Sequence, residues 1–164
     1  MKALELIKEK GIFALKGAPQ ILIGDYKKEE MLLALKSLVP GFENKVTLLI
    51  HDITQLYDFV GKIPEIAWDI VDFAEDPLDV IYPAGKNVSS ALLRNNGGIR
   101  IRLVKEGELF KVLKLYRKAF FCIAVAKNEL IDKIPFQEVE IKDFKLSSKI
   151  ILLEMNGEIR FLPN

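Results

Sequence analysis

The residues best suited to chemistry are two arginines two positions apart. In Gly98-Ile99-Arg100-Ile101-Arg102-Leu103 apolar and basic residues alternate. The two-residue period of a strand puts both guanidinium groups on one face. Such a face can bind a carboxylate or a phosphate, because each guanidinium offers a fixed fork of donors. The same pattern also fits an exposed edge strand that its arginines keep soluble. A second basic group, Lys111, Lys114, Arg117 and Lys118, falls along a helical stretch. It suits either an RNA backbone or a solvated helix face. His51 is the sole histidine, and no second His, Cys or carboxylate cluster is spaced to complete a metal site with it. It reads as a lone acid or base, or as a satisfied loop residue. Cys122 lies in the apolar run Phe120 to Val125 without a base beside it, which suits a buried, unreactive thiol. Ala84 to Ser90 lacks the first glycine and the G-K-[ST] ending of a phosphate loop.

These groups need a scaffold, and the hydrophobic pattern supplies one. Lys2 to Lys10 predicts an amphipathic helix stopped by Gly11. Strands are predicted at 12–15, 20–23, 46–50, 78–82, 99–103, 120–125, 139–141, 149–153 and 159–162. Helices are predicted at 28–38, 53–60 with Asp52 as its cap, from Pro64 through Phe73, and 108–117. In the helix after Pro64, Ile66, Ile70 and Phe73 share a face, with Ala67, Trp68 and Val71 beside it. Asn95-Asn96-Gly97-Gly98 is a turn signal ahead of the arginine strand. The continuous apolar run 120–125 belongs in the middle of a sheet.

With 164 residues, half of them apolar and 29% charged, one domain with a proper core is expected over 1–164. A net charge of +1 gives no global attraction to nucleic acid, so any such binding must come from a local basic face. One cysteine excludes an intrachain disulfide and fits a reducing cytoplasm. No signal peptide or membrane-length apolar run is present, so a cytoplasmic chain without membrane contact is expected.

Three stretches carry a resemblance to a known family. IPEIAWDIVDFAEDPLDVIYPAGKNVSSALL, the following G-I-R-I-R-L and then LYRKAFFCIAVA resemble the middle of the YrdC-like family. The similarity runs with interruptions from about Lys8 to the C-terminus. That family makes threonylcarbamoyl-AMP for tRNA modification and includes putative translation factors described as binding double-stranded RNA. The resemblance implies a single α/β (α+β) domain: a twisted mixed sheet with flanking helices and a concave binding face. It also implies that Arg102 matches the arginine that helps hold the nucleotide phosphates, with Arg100 an added cation. Lys45 lines up with the family's last pocket lysine, and Ser147 and Ser148 with its P-S-T/S-I/V motif.

Elsewhere the family's polar groups are missing. Lys16, Gly17, Ala18 and Pro19 stand where P-T-D-T is expected, and Val39, Pro40 and Gly41 at about the place of K-x-R. Cys122, Ile123, Ala124, Val125 and Ala126 replace S-T-S-A-N. The segment after Ala126 is also shorter than the family's, which implies a trimmed lid. Synthesis of the adenylate needs cations for bicarbonate, carboxylate and triphosphate, and polar groups to orient threonine. The expectation is a catalytically degenerate pseudoenzyme that binds a nucleotide (ATP or AMP, with magnesium if so) or double-stranded RNA. The alternatives are an active nucleotidyltransferase with a diverged site, and a non-catalytic partner of the tRNA-modification machinery.

Overall fold

The computed structural model describes residues 1–126, 136–146 and 148–163. Helix α1 (Lys2–Lys10) ends at Gly11 in a left-handed conformation, φ 77°, which costs a glycine little. Strands β1 (Ile12–Leu15) and β2 (Gln20–Asp25) form an antiparallel pair. Helices α2 (Glu29–Leu38) and α3 (Phe42–Lys45) lead into β3 (Thr47–Ile50). A 3-10 turn at Ile53–Gln55 precedes α4 (Leu56–Phe59), then α5 (Ile66–Phe73) and β4 (Leu78–Tyr82) follow. A second 3-10 turn (Ser90–Leu92) leads to β5 (Ile99–Leu103), α6 (Glu108–Tyr116) and β6 (Phe120–Val125). The last strands are β7 (Glu138–Val139), β8 (Lys149–Leu153) and β9 (Ile159–Leu162).

Among the described residues nine strands form one mixed sheet in the order β7-β1-β2-β6-β3-β5-β4-β8-β9. β6 is interior, antiparallel to both β2 and β3, as its unbroken apolar sequence requires. β5 is interior too, parallel to β3 and antiparallel to β4, so the edge-strand reading of its arginines is corrected.

Alternation divides the sheet into two cores. One face carries Ile12, Leu22, Leu48, Val80, Ile101, Phe121 and Ile151 under α2 to α5. The other carries Phe13, Ile23, Leu49, Phe120 and Cys122 under α1 and α6. Two strands meet closely at Gly24, where a Cβ would lie 2.4 Å from the Phe121 ring and 2.9 Å from the Gly11 carbonyl.

Helix α5 departs from expectation. Its buried residues are Ala67 and Val71, whereas Ile66 and Phe73 are exposed, Phe73 by 77%. The helix lies at the margin of the sheet, where Ile70 and Phe73 line an open groove with Ile151, Ile159 and Phe161. Among the described residues no helix is long and apolar enough to cross a membrane.

Candidate functional site

Strand register explains the arginines. On the face covered by α1 and α6, Asp79 of β4 sits directly opposite Arg102 of β5. Arg100, two residues back, shares that face. A carboxylate in the middle of a buried strand must be paired. Asp79 is completely buried and accepts from Arg102 Nε at 2.5 Å, from Arg100 Nε at 2.7 Å and from Thr47 Oγ1 at 3.4 Å.

Arg102 is further committed. Its Nη1 donates to the Lys145 carbonyl at 2.7 Å and its Nη2 to the Leu146 carbonyl at 2.9 Å. The Phe144 ring lies 5.7 Å from its guanidinium carbon. The expectation that Arg102 offers an open fork to an anion is therefore corrected: it is an internal strut that pins 144–146 to the sheet. Arg100 is less enclosed, and its Nη1 reaches the Asn44 carbonyl at 3.5 Å. That contact brings β5 beside the end of α3, whose last residue is the exposed Lys45.

Arg94, which the sequence reading passed over, belongs to this group. Partial burial and the neighbouring Arg100 pull its guanidinium below the ordinary value, while Glu43 acts in the opposite sense. Its place is fixed by the turn ahead of β5: Arg94 N–H donates to the Gly98 carbonyl and Gly97 N–H to the Arg94 carbonyl, both at 2.8 Å. Beneath lies Cys122. Burial pushes its thiol up to about 12, with Arg102 opposing and Asp79 reinforcing the shift.

The other expected residues are distributed around this cluster. Ser148 is buried and its Oγ has no hydrogen-bond partner among the described residues, and Ser147 lies outside them. Lys111, Lys114, Arg117 and Lys118 are all exposed, on or just beyond α6, whose buried side is Leu109, Val112 and Leu113. That stripe is thus separate from the arginine cluster. His51 follows β3, with its ring edge-on to Phe110 (centroids 6.4 Å apart) and its Nδ1 without a partner among the described residues. Asp52 accepts from the Thr54 amide at 2.9 Å and hydroxyl at 2.7 Å, the expected cap. Among the described residues no group of three or more His, Cys, Asp or Glu could hold a metal ion.

A cleft of about 240 Å³ opens at the C-terminal end of β5. Arg102, Leu103, Lys105, Leu109 and Phe144 contribute to its wall. Lys105 Nζ closes one side by donating to the Asp72 and Ala74 carbonyls at 2.9 and 2.6 Å.

This architecture has solved counterparts. Sua5 from P. abyssi, in a crystal structure with L-threonine, superposes with a TM-score of 0.70 at 16% identity, over 93% of this chain and 50% of that one. E. coli YciO gives 0.66 at 14% identity, covering 93% of this chain and 82% of that one. Full-length HypF, in a phosphate- and nucleotide-bound form, gives 0.71 at 11% identity over 98% of this chain and 28% of that one. The chain spans about half the length of the Sua5 structure and just over a quarter of HypF. No family model and no curated protein sequence matches it.

The chain therefore has a YrdC-like fold: a mixed α/β domain built on one nine-stranded sheet. At these identities the likeness concerns the fold, and the site rests on this chain's own residues.

Proposed function

We propose that this chain is a catalytically degenerate YrdC-like protein that binds a phosphate-bearing ligand of the nucleotide class. The binding group is the rim formed by Arg94, Arg100 and Lys45. One observation carries the reading: Arg100 and Arg102 share a single carboxylate, Asp79, and Arg94 is close enough to Arg100 to feel its charge. Among the described residues the three guanidinium groups thus have Asp79 and Glu43 as their carboxylate neighbours, with the exposed Lys45 next to Asn44, whose carbonyl Arg100 reaches, an excess that a phosphate would neutralise. Arg102 supports the rim from beneath by holding Asp79 in place.

Loss of turnover is supported by what surrounds the rim. Cys122, Leu49 and Ile23 give that face a largely apolar floor, and the Thr47 hydroxyl on it is already donated to Asp79, which leaves little to orient threonine and a carbamate. Asp79 is committed to two arginines, so a magnesium ion arriving with ATP would have to be held by the phosphates. The YrdC-like fold makes a role beside tRNA modification the context to test, and the nucleotide-bound HypF and threonine-bound Sua5 structures suggest which ligands to try.

The experiment is isothermal titration with ATP and AMP, alongside release of pyrophosphate from ATP with threonine and bicarbonate. Nucleotide binding weakened about tenfold by Arg94→Ala and Arg100→Ala, without pyrophosphate above background, is the expected result. Turnover would establish the active nucleotidyltransferase instead. Binding of a short RNA duplex, lost in Lys111→Ala/Lys114→Ala and falling steeply with salt, would move the site to α6. Silence towards every ligand would leave a partner role in a larger assembly and end the nucleotide reading.

A further inference from the structure

The margin of the sheet beyond α5 is built unlike the rest of the surface. β9 is the last strand, and among the described residues nothing pairs with its outer edge. Phe161 is 77% exposed, as is Phe73 on α5, with Ile159 and Ile66 also exposed. Phe161 and Ile159 sit opposite Ile151 and Leu153 of β8, so they lie on the α5 side of the sheet and line the groove with Phe73. Exposed edges are ordinarily blunted by lysine, proline or a bulge. Ile159-Arg160-Phe161-Leu162 carries one charge and no interruption.

We infer that this edge is an interaction surface for a second copy of the same chain, joined to it by antiparallel β9–β9 pairing about a two-fold axis. The backbone and the charges select the register. Glu154 N–H donates to the Glu158 carbonyl at 2.8 Å, so by alternation Arg160 and Leu162 aim their backbone groups at β8. Ile159 and Phe161 aim theirs outward.

Only registers that oppose two outward-facing residues can form ladder bonds. A two-fold at Phe161 would set Ile159 against Pro163, which has no N–H to give, and Arg160 against Leu162, which offers its charge no partner. A two-fold at Arg160 would set Arg160 directly against its own copy, which is repulsive. A two-fold at Ile159 pairs Ile159 with Ile159 and sets Glu158 against Arg160 twice. It also sets Phe161 across from Gly157, whose N–H is already given to the Glu154 carbonyl at 2.9 Å so that only its carbonyl is left for the ladder, and where a Cβ would meet nothing within 4 Å, leaving space for the ring.

Antiparallel pairing about this axis keeps the same sheet face on the same side in both copies. The two α5 helices would therefore flank one apolar trough floored by Ile159 and Phe161. The opposite edge, β7, is two residues long, too short to continue a head-to-tail array, so the contact closes as a dimer. A four-residue strand with a modest apolar margin fits a dimer of micromolar affinity, to order of magnitude.

The test is sedimentation equilibrium of the chain over about 1–200 μM. A monomer–dimer equilibrium is expected, abolished by Phe161→Asp at an exposed position, with circular dichroism confirming the fold. Glu158→Arg and Arg160→Glu should each weaken association about tenfold. Combining them should restore it, because the swap regenerates both ion pairs. A monomer at every concentration, a dimer indifferent to Phe161→Asp, or charge reversals that are not mutually rescued would overturn the inference.

Discussion

Replacing Asp79 with alanine tests the logic of the arginine cluster most directly. The carboxylate is fully buried, while the side chains of Arg102 and Arg100 retain 7% and 15% of their exposure. Removing it strands two guanidinium groups where water can hydrate neither fully. Breaking a buried pair costs about 3–5 kcal/mol, because the orphaned charge keeps its desolvation penalty. The upper part of that range belongs to this site, since two cations lose one partner, although the partial exposure of Arg100 moderates its share. Against a total stability of about 5–15 kcal/mol, the variant should lose a third or more of its margin. The expected fall in Tm is about 10 °C, at about 2–4 °C per kcal/mol for a domain of this size. Urea unfolding followed by circular dichroism gives the free energy directly. Asp79→Leu combined with Arg100→Met and Arg102→Met should recover part of the loss, because a buried ion cluster replaced by apolar groups is often neutral, while the Lys145 and Leu146 carbonyls still lose their donors. A loss under about 1 kcal/mol, or a combined variant as unstable as the sum of the singles, would refute the reasoning.

Other perturbations read different parts of the molecule. Burial raises the Cys122 thiol to about 12, so its contribution to stability is intact below the ordinary thiol value and lost as pH climbs towards the raised one. Above about pH 9 the difference between wild type and Cys122→Ala should decline by up to ~1.4 kcal/mol per pH unit; a flat difference would contradict the burial. The native thiol should also resist alkylation at pH 8 and react once urea unfolds the chain. Gly24→Ala should cost about 1–3 kcal/mol in thermal unfolding, because the methyl meets the Gly11 carbonyl as well as the Phe121 ring and the carbonyl cannot rotate away. Lys105→Met should cost about 1 kcal/mol, since the ammonium satisfies the Asp72 and Ala74 carbonyls at the end of α5.

The elements were legible where the apolar period was unbroken. β4, β5, β6, β8 and β9 fall where alternation and turn residues put them, because each strand's pattern answers to one local constraint, the buried face. Helix α5 was not fully legible: Ile66, Ile70 and Phe73 have the spacing of a core face, yet only Ile70 packs against the core and the sheet ends too soon to cover Ile66 and Phe73. The arginine strand was readable as a strand with both cations on one side, but their state depended on a residue 21 and 23 positions away. Asp79 carried a usable signal, an acid within an otherwise apolar strand. Arg94 carried none, since its approach to Arg100 is set by the turn at Asn95 to Gly98 and by the packing of α3.

The strand order also bears on how the chain is assembled. β3 ends at Ile50, yet both of its sheet neighbours, β5 and β6, come later, up to Val125. During synthesis at about 5–20 residues per second, its leucines and isoleucine wait roughly 4–15 seconds before the second neighbour has been made. β2 likewise has one flank open until β6 emerges. The N-terminal third of the protein must therefore remain soluble as an incomplete sheet, and closure of the two cores is coupled to the arrival of a single strand. Substitutions in β6 should then slow folding more than equally destabilising ones in β8 or β9.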